Sequence, residues 1–121
     1  MEKTSAPIKH EMALYDLLQA GTTGISKLTE LPSYGETALP TTISELILER
    51  GFVICKERRD HIHQHGGKTY FTWYWLADQD EAKKAIALVN HSRRRRFASP
   101  LTDEQASMLA SHFPATIGGA A

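Results

Sequence analysis

Three sets of side chains in this sequence have the chemistry to bind something. The first is cationic: Lys56, Arg58, Arg59 and Lys68 around a polar stretch containing Gly66-Gly67, and the unbroken run Arg93-Arg94-Arg95-Arg96. Guanidinium forks match phosphate oxygens two at a time, so these residues point to a polyanion. The second is His61-Ile62-His63-Gln64-His65. On an extended strand, alternate imidazoles project from one face about 6.5–7 Å apart. Neutral imidazole ligates Zn²⁺, but a structural zinc site wants four ligands and Cys55 is the sole thiol. A polar hairpin tip is the better reading, and neither a metal nor another cofactor is expected. Protonation of these histidines in mild acid would make the tip more cationic. The third set is Tyr70, Phe71, Trp73, Tyr74 and Trp75. Aromatics of this kind stack on single-stranded bases, or form the strand face that covers a core and a dimer contact; the second use is the simpler. No glycine-rich phosphate loop follows a strand, and no order of Ser, His and Asp suggests a triad, so the chain does not read as an enzyme.

What must position these groups is a single domain of 121 residues. Hydrophobic residues at 41% against 23% charged exclude a largely disordered polymer. No apolar run reaches the ~18 residues a membrane span requires, and one cysteine makes no internal disulfide, so a cytoplasmic setting is expected. Fourteen Lys and Arg balance fourteen Asp and Glu. That zero conceals a division: residues 52–98 carry a net +5, between flanks that together carry −5. A polyanion feels the field within about 8–10 Å, so a neutral chain with a basic stripe still grips phosphates.

Residues 1–8 have no periodicity and read as a flexible tail. Leu14, Leu17 and Leu18 put an apolar stripe on a helix from Lys9 to Ala20, stopped by Gly21. After a short extended connector, Ser26 caps a second helix with Leu28 and Leu31 inward and Pro32 as its breaker. Thr37 to Pro40 opens a third, with Leu39, Ile43, Leu46, Ile47 and the stem of Arg50 on one face and Gly51 at its end. The period then changes. Residues 52–58 and 69–76 are rich in β-formers, with a long tip from Arg59 to Lys68. Asp78 and Glu81 start a fourth helix with Ala82, Ala85, Ile86 and Val89 inward, running into the arginines. Thr102 and Gln105 open a fifth, in which Ala106, Leu109, Ala110 and Phe113 align before Pro114. It folds back on the domain or pairs with another subunit. Cys55 reads as a buried small hydrophobe.

Three helices followed directly by a β-hairpin is the winged helix-turn-helix plan. The expected fold is therefore α+β: a winged domain over residues 9–92, then an Arg-rich linker, C-terminal helix and tail over 93–121. Such a third helix fits a major groove about 12 Å wide while the hairpin reaches the flanking backbone. Gly24-Ile25-Ser26-x-Leu28, Tyr34-Gly35, Leu39 with Ile43-Ser44-Glu45-Leu46, Arg50-Gly51-Phe52-Val53-Ile54, and Thr69-Tyr70 with Tyr74-Trp75-Leu76 resemble the bacteriophage-type winged-helix domain proteins, over residues 9–91. The resemblance implies a sequence-specific double-stranded DNA-binding protein of phage or prophage type. Its role would be transcriptional regulation, or assistance in replication or excision.

Members of that family commonly carry basic residues late in the third helix, where this chain has Ile47-Leu48-Glu49-Arg50. The face opposite the buried stripe holds Thr41, Ser44, Glu45 and Leu48. Thr41, Thr42, Ser44 and Glu45 are the residues expected nearest the bases, and none of them attracts phosphate. The backbone would be clamped by Lys56, Arg58, Arg59 and Lys68 on the hairpin and by Arg93, Arg94, Arg95 and Arg96. Many groove readers are two-fold dimers, so a homodimer is expected. The alternative is a protein-binding winged-helix module that uses the acidic third helix directly, an antagonist or adaptor of a regulator.

Overall fold

A computed structural model describes residues 7–62 and 64–116. Most of the tail at 1–8, the last residues 117–121, and His63 of the histidine stretch lie outside the described residues. Within them the fold is α+β, with five α-helices and a two-stranded antiparallel hairpin: α1 (Lys9–Ala20), α2 (Lys27–Tyr34), α3 (Leu39–Arg50), β1 (Ile54–Ile62), β2 (Lys68–Leu76), α4 (Gln79–Arg95) and α5 (Asp103–Ala110). One hydrophobic cluster draws on every helix except α2 and on β2, from Ala13 to Phe113.

Helix α1 buries Ala13, Leu14, Leu17 and Leu18, the stripe its spacing predicts. A 3-10 turn, Gly21–Thr23, leads to Ile25, which pairs with β2 as an isolated bridge. The Ile25 N–H donates to the Tyr74 carbonyl and the Tyr74 N–H to the Ile25 carbonyl, each at 2.8 Å. Gly24 makes this approach possible: at φ +84 it is in glycine territory, and a Cβ there would sit 2.5 Å from the Tyr74 oxygen. The hairpin is thereby stitched to the helical core.

Helix α2 departs from the sequence expectation. Ser26 caps it, accepting from the Leu28 N–H at 3.1 Å, but Pro32 does not break it, and the helix runs to Tyr34 before Gly35 closes it. A proline removes a single i→i−4 bond, here the one to Leu28, and the helix carries on through it. Its phase is also turned from that expected. Leu28 and Leu31 are exposed, while Ser26, Glu30 and half-buried Tyr34, each four residues apart, face the core. On α3 the buried set is Leu39, Thr42, Ile43 and Leu46; Ile47 is exposed.

The hairpin is longer than expected. β1 continues through Arg59 to Ile62, and the register pairs Ile54 with Leu76 and Ile62 with Lys68. Arg59 and Lys68 therefore belong to the strands and not to a loop tip. Alternation gives the hairpin two faces. Tyr74 and Leu76 are buried in the core, whereas Phe71, Trp73 and Trp75 lie half-buried on the other face. Cys55, opposite Trp75, is half-buried on that face too and not in the core.

Asp78 caps α4, accepting from the Glu81 N–H at 3.0 Å, and Ala82, Ala85, Ile86 and Val89 are buried as their spacing predicts. Thr102 and Gln105 form a reciprocal capping box on α5. This helix folds back on the body of the protein: Leu101, Leu109 and Phe113 join the core, and the Pro114 carbonyl accepts from the Gln79 N–H at 2.9 Å. No helix among the described residues is long and apolar enough to cross a membrane.

Candidate nucleic-acid interface

The outward side of α3 is open to solvent. Thr41, Ser44 and Leu48 are exposed, and Glu45 is partly so. Glu45 accepts from His10 Nε2 at 2.9 Å, which leaves His10 Nδ1 to accept from Arg50 Nε at 3.4 Å. Thr42 is a correction to the expected set. It is 1% exposed, and its hydroxyl donates to Glu36 at 2.7 Å, so it faces the core and is closed to any base. Glu36 also accepts from the Ala38 N–H at 2.9 Å and lies 3.4 Å from Lys9. Burial pushes its pKa up, but Thr42, Ala38 and Lys9 together hold it below the ordinary glutamate value.

The hairpin residues divide by strand face. Lys56 and Arg58 share the face of Tyr70, Thr72 and Tyr74, and the Arg58 guanidinium lies 3.6 Å from the centre of the Tyr70 ring. Tyr70, Thr72 and Tyr74 line one hollow with Pro40 of α3 and Lys27 of α2, which brings this face of the hairpin toward the first turn of α3. Arg59 is on the reverse face. It packs against Trp73 and Trp75 at 5.1 and 5.5 Å, donates to the Thr23 carbonyl at 2.7 Å and to Glu57 at 2.8 Å. Its work is to fasten the hairpin to the α1–α2 connection. Lys68 is paired with Asp60 at 3.6 Å, in the open.

The four arginines also divide. Arg96 holds buried Glu11 with both arms, Nε at 3.0 Å and Nη2 at 2.6 Å, while Ser92 donates to the same carboxylate at 2.6 Å. Arg93 lies 3.9 Å from Glu11, over the Tyr15 ring, and donates to the Ser99 carbonyl. Burial raises the Glu11 pKa, but Arg96, Ser92 and Arg93 outweigh it and hold the carboxyl below its ordinary range. Arg93 and Arg96 are thus internal ties between α4 and α1, a second correction to the expected clamp. Arg94 and Arg95 remain exposed. Arg95 lines a hollow with Arg50, the last residue of α3.

Of the expected residues, Thr41, Ser44 and Glu45 lie on the outward side of α3, Lys56 and Arg58 on the hairpin face that lines a hollow with Pro40, and Arg95 in a hollow with Arg50 at the far end of α3. Thr42, Arg59, Arg93 and Arg96 serve the fold. Lys27 was missed; it is the first residue of α2, and only the tertiary approach of Pro40 and Tyr70 gives it a role. Among the described residues no group of three or more His, Cys, Asp or Glu is arranged to hold a metal. His61 stacks edge-on against Phe71 with ring centres 5.7 Å apart.

No protein family, curated protein or solved structure matches this chain.

Proposed function

We propose that the chain is a winged helix-turn-helix protein that binds double-stranded DNA with sequence preference, a phage- or prophage-type transcriptional regulator or an accessory factor for replication or excision. One observation carries this reading. Cations without a carboxylate partner among the described residues flank α3: Lys27 lines a hollow with Pro40 of its first turn, Lys56 and Arg58 lie on the hairpin face that lines the same hollow, and Arg95, next to exposed Arg94 in sequence, lines a hollow with Arg50 at its end. A helix of 12 residues is about 18 Å long, enough to cross a major groove about 12 Å wide. In this reading its outward Thr41 and Ser44 meet the base edges and the two cationic ends meet the flanking phosphates.

The test is titration of duplexes from a random pool at rising salt. Five phosphate contacts give a slope of log affinity on log salt of about −4 to −5. The Lys56→Ala/Arg58→Ala double variant is expected to bind every sequence more weakly and to lessen that slope by about 2. Ser44→Ala, in contrast, is expected to change which duplexes are selected. Absence of any shift at about 50 mM salt would remove the reading.

A second reading is favoured by Leu48, 83% exposed on the same face as Glu45. A protein partner with an apolar, basic surface would cover both, making the chain a docking module without nucleic acid. Such a module is indifferent to Lys56→Ala/Arg58→Ala and sensitive to Leu48→Asp.

A further inference from the structure

The ends of α1, α3 and α4 enclose a hollow of about 420 Å³ whose walls include Ile8, His10, Arg50, Leu88, His91 and Arg95. That volume lies within the range of small-molecule sites. Leu88, His91 and Arg95 project from one face of α4 at helical spacing, and a shallower hollow extends the same row to Lys84 through Arg50, Leu88 and His91. The charge here is not balanced. Glu11 is the one carboxylate in the wall, and it is fully engaged by Arg96, Ser92 and Arg93. Arg95 and Arg50 have no ion pair among the described residues, and Arg50 Nε donates to His10 Nδ1. Two guanidinium groups converging on one concave space repel each other unless an anion joins them. The apolar part of the wall is half-buried Leu88, which also packs against the core, and Ile8, which is 53% exposed.

We propose that this hollow binds a small phosphate monoester with an apolar substituent. The dianion would be held by the forks of Arg50 and Arg95 with help from His91, and the substituent would rest against Leu88 and Ile8. A tetrahedral phosphate offers three oxygens to these three donors, where a carboxylate offers two. The inference goes beyond duplex binding and does not depend on it.

The test uses the full chain and three probes: phenyl phosphate, inorganic phosphate and benzyl alcohol, each followed through the methyl resonances of Ile8 and Leu88. Phenyl phosphate is expected to saturate those shifts and to bind at least about tenfold more tightly than inorganic phosphate, because burial of the ring adds to the ionic contacts. Arg95→Ala and Arg50→Ala are each expected to weaken it about tenfold or more. Lys83→Ala, which removes an equal charge from α4 outside this wall, is expected to leave affinity within about twofold. Equal affinity for phenyl phosphate and inorganic phosphate, saturation by benzyl alcohol, equal losses in the Lys83 and Arg95 variants, or no saturation at all would each overturn the proposal. Because no nucleic acid is present, the outcome is independent of the duplex titration.

Discussion

Burying Glu30 beside Asp16 and Glu36 ties the stability of the helical core to pH. Glu30 is 1% exposed, and burial first, then Asp16 and Glu36, push its pKa up to about 8 against the pull of the Thr29 hydroxyl. The folded protein therefore holds a proton that the unfolded chain releases near the ordinary glutamate value. The resulting stability is complete below that value, declines as pH rises, and is gone above about 8. Urea denaturation is expected to show falling stability from about pH 5.5 to about pH 8.5, and Glu30→Gln, a neutral isostere, to flatten that dependence. An unchanged slope in the variant would mean that Glu30 is not the group responsible. Glu30 also shows the limit of reading single residues. Hydrophobicity alone points Leu28 and Leu31 inward on α2, and nothing in the residue type of Glu30 marks it as the buried one. What reversed this is the capping geometry of Ser26 and the four-residue step from it to Glu30 and Tyr34. Thr42 lies three residues after Leu39 and four before Leu46, so helical spacing already sets it on the buried stripe; what spacing does not show is that Glu36 accepts its hydroxyl there.

At the scale of elements, stripes of aliphatic residues were legible and pairings between polar groups were not. The inward faces of α1 and α4 and the caps on α4 and α5 follow from local spacing, because a helix sets its own phase within a few residues. The hairpin's aromatics alternate, Phe71, Trp73 and Trp75 on one face and Tyr70 and Tyr74 on the other, and spacing alone does not choose which face is buried. The Ile25 bridge decides it by drawing the Tyr74 side of β2 against the helices. That bridge rests on Gly24, so Gly24→Ala is expected to lower stability by about 2–4 kcal/mol through a disfavoured backbone and a collision with the Tyr74 carbonyl. Faster amide exchange at Ile25 and Tyr74 would accompany the loss, and a variant as stable as the parent would show that the bridge is dispensable. The length of β1 was underestimated because Arg59, Asp60 and His61 have low strand preference on their own. Stacking of Arg59 on Trp73 and Trp75 and of His61 on Phe71, with the ladder bonds, keeps them extended.

Over the whole molecule, α5 is part of the core and not an appendage. Leu101 is anchored by its N–H to Asn90 at 2.7 Å, and Leu109 and Phe113 complete the apolar cluster. Ending the chain after Pro100 is expected to cost several kcal/mol, at about 2–5 kcal/mol for each large buried side chain lost, and to leave a partly unfolded protein by circular dichroism. A truncated chain with the parent's melting temperature would contradict this. The basic middle of the sequence also acquires its meaning only here. Composition and order alone established an α+β chain, its aliphatic helix faces, its caps and the excess of cations over residues 52–98, because each depends on neighbours within a few positions. Which cations face outward was settled by folding. Glu11, far from the arginine run in sequence, captures Arg93 and Arg96, the Trp73 and Trp75 rings and the Thr23 carbonyl capture Arg59, and Arg95 is left beside Arg50. A charge finds its partner through space, and the distances that decide this are fixed only when the helices pack.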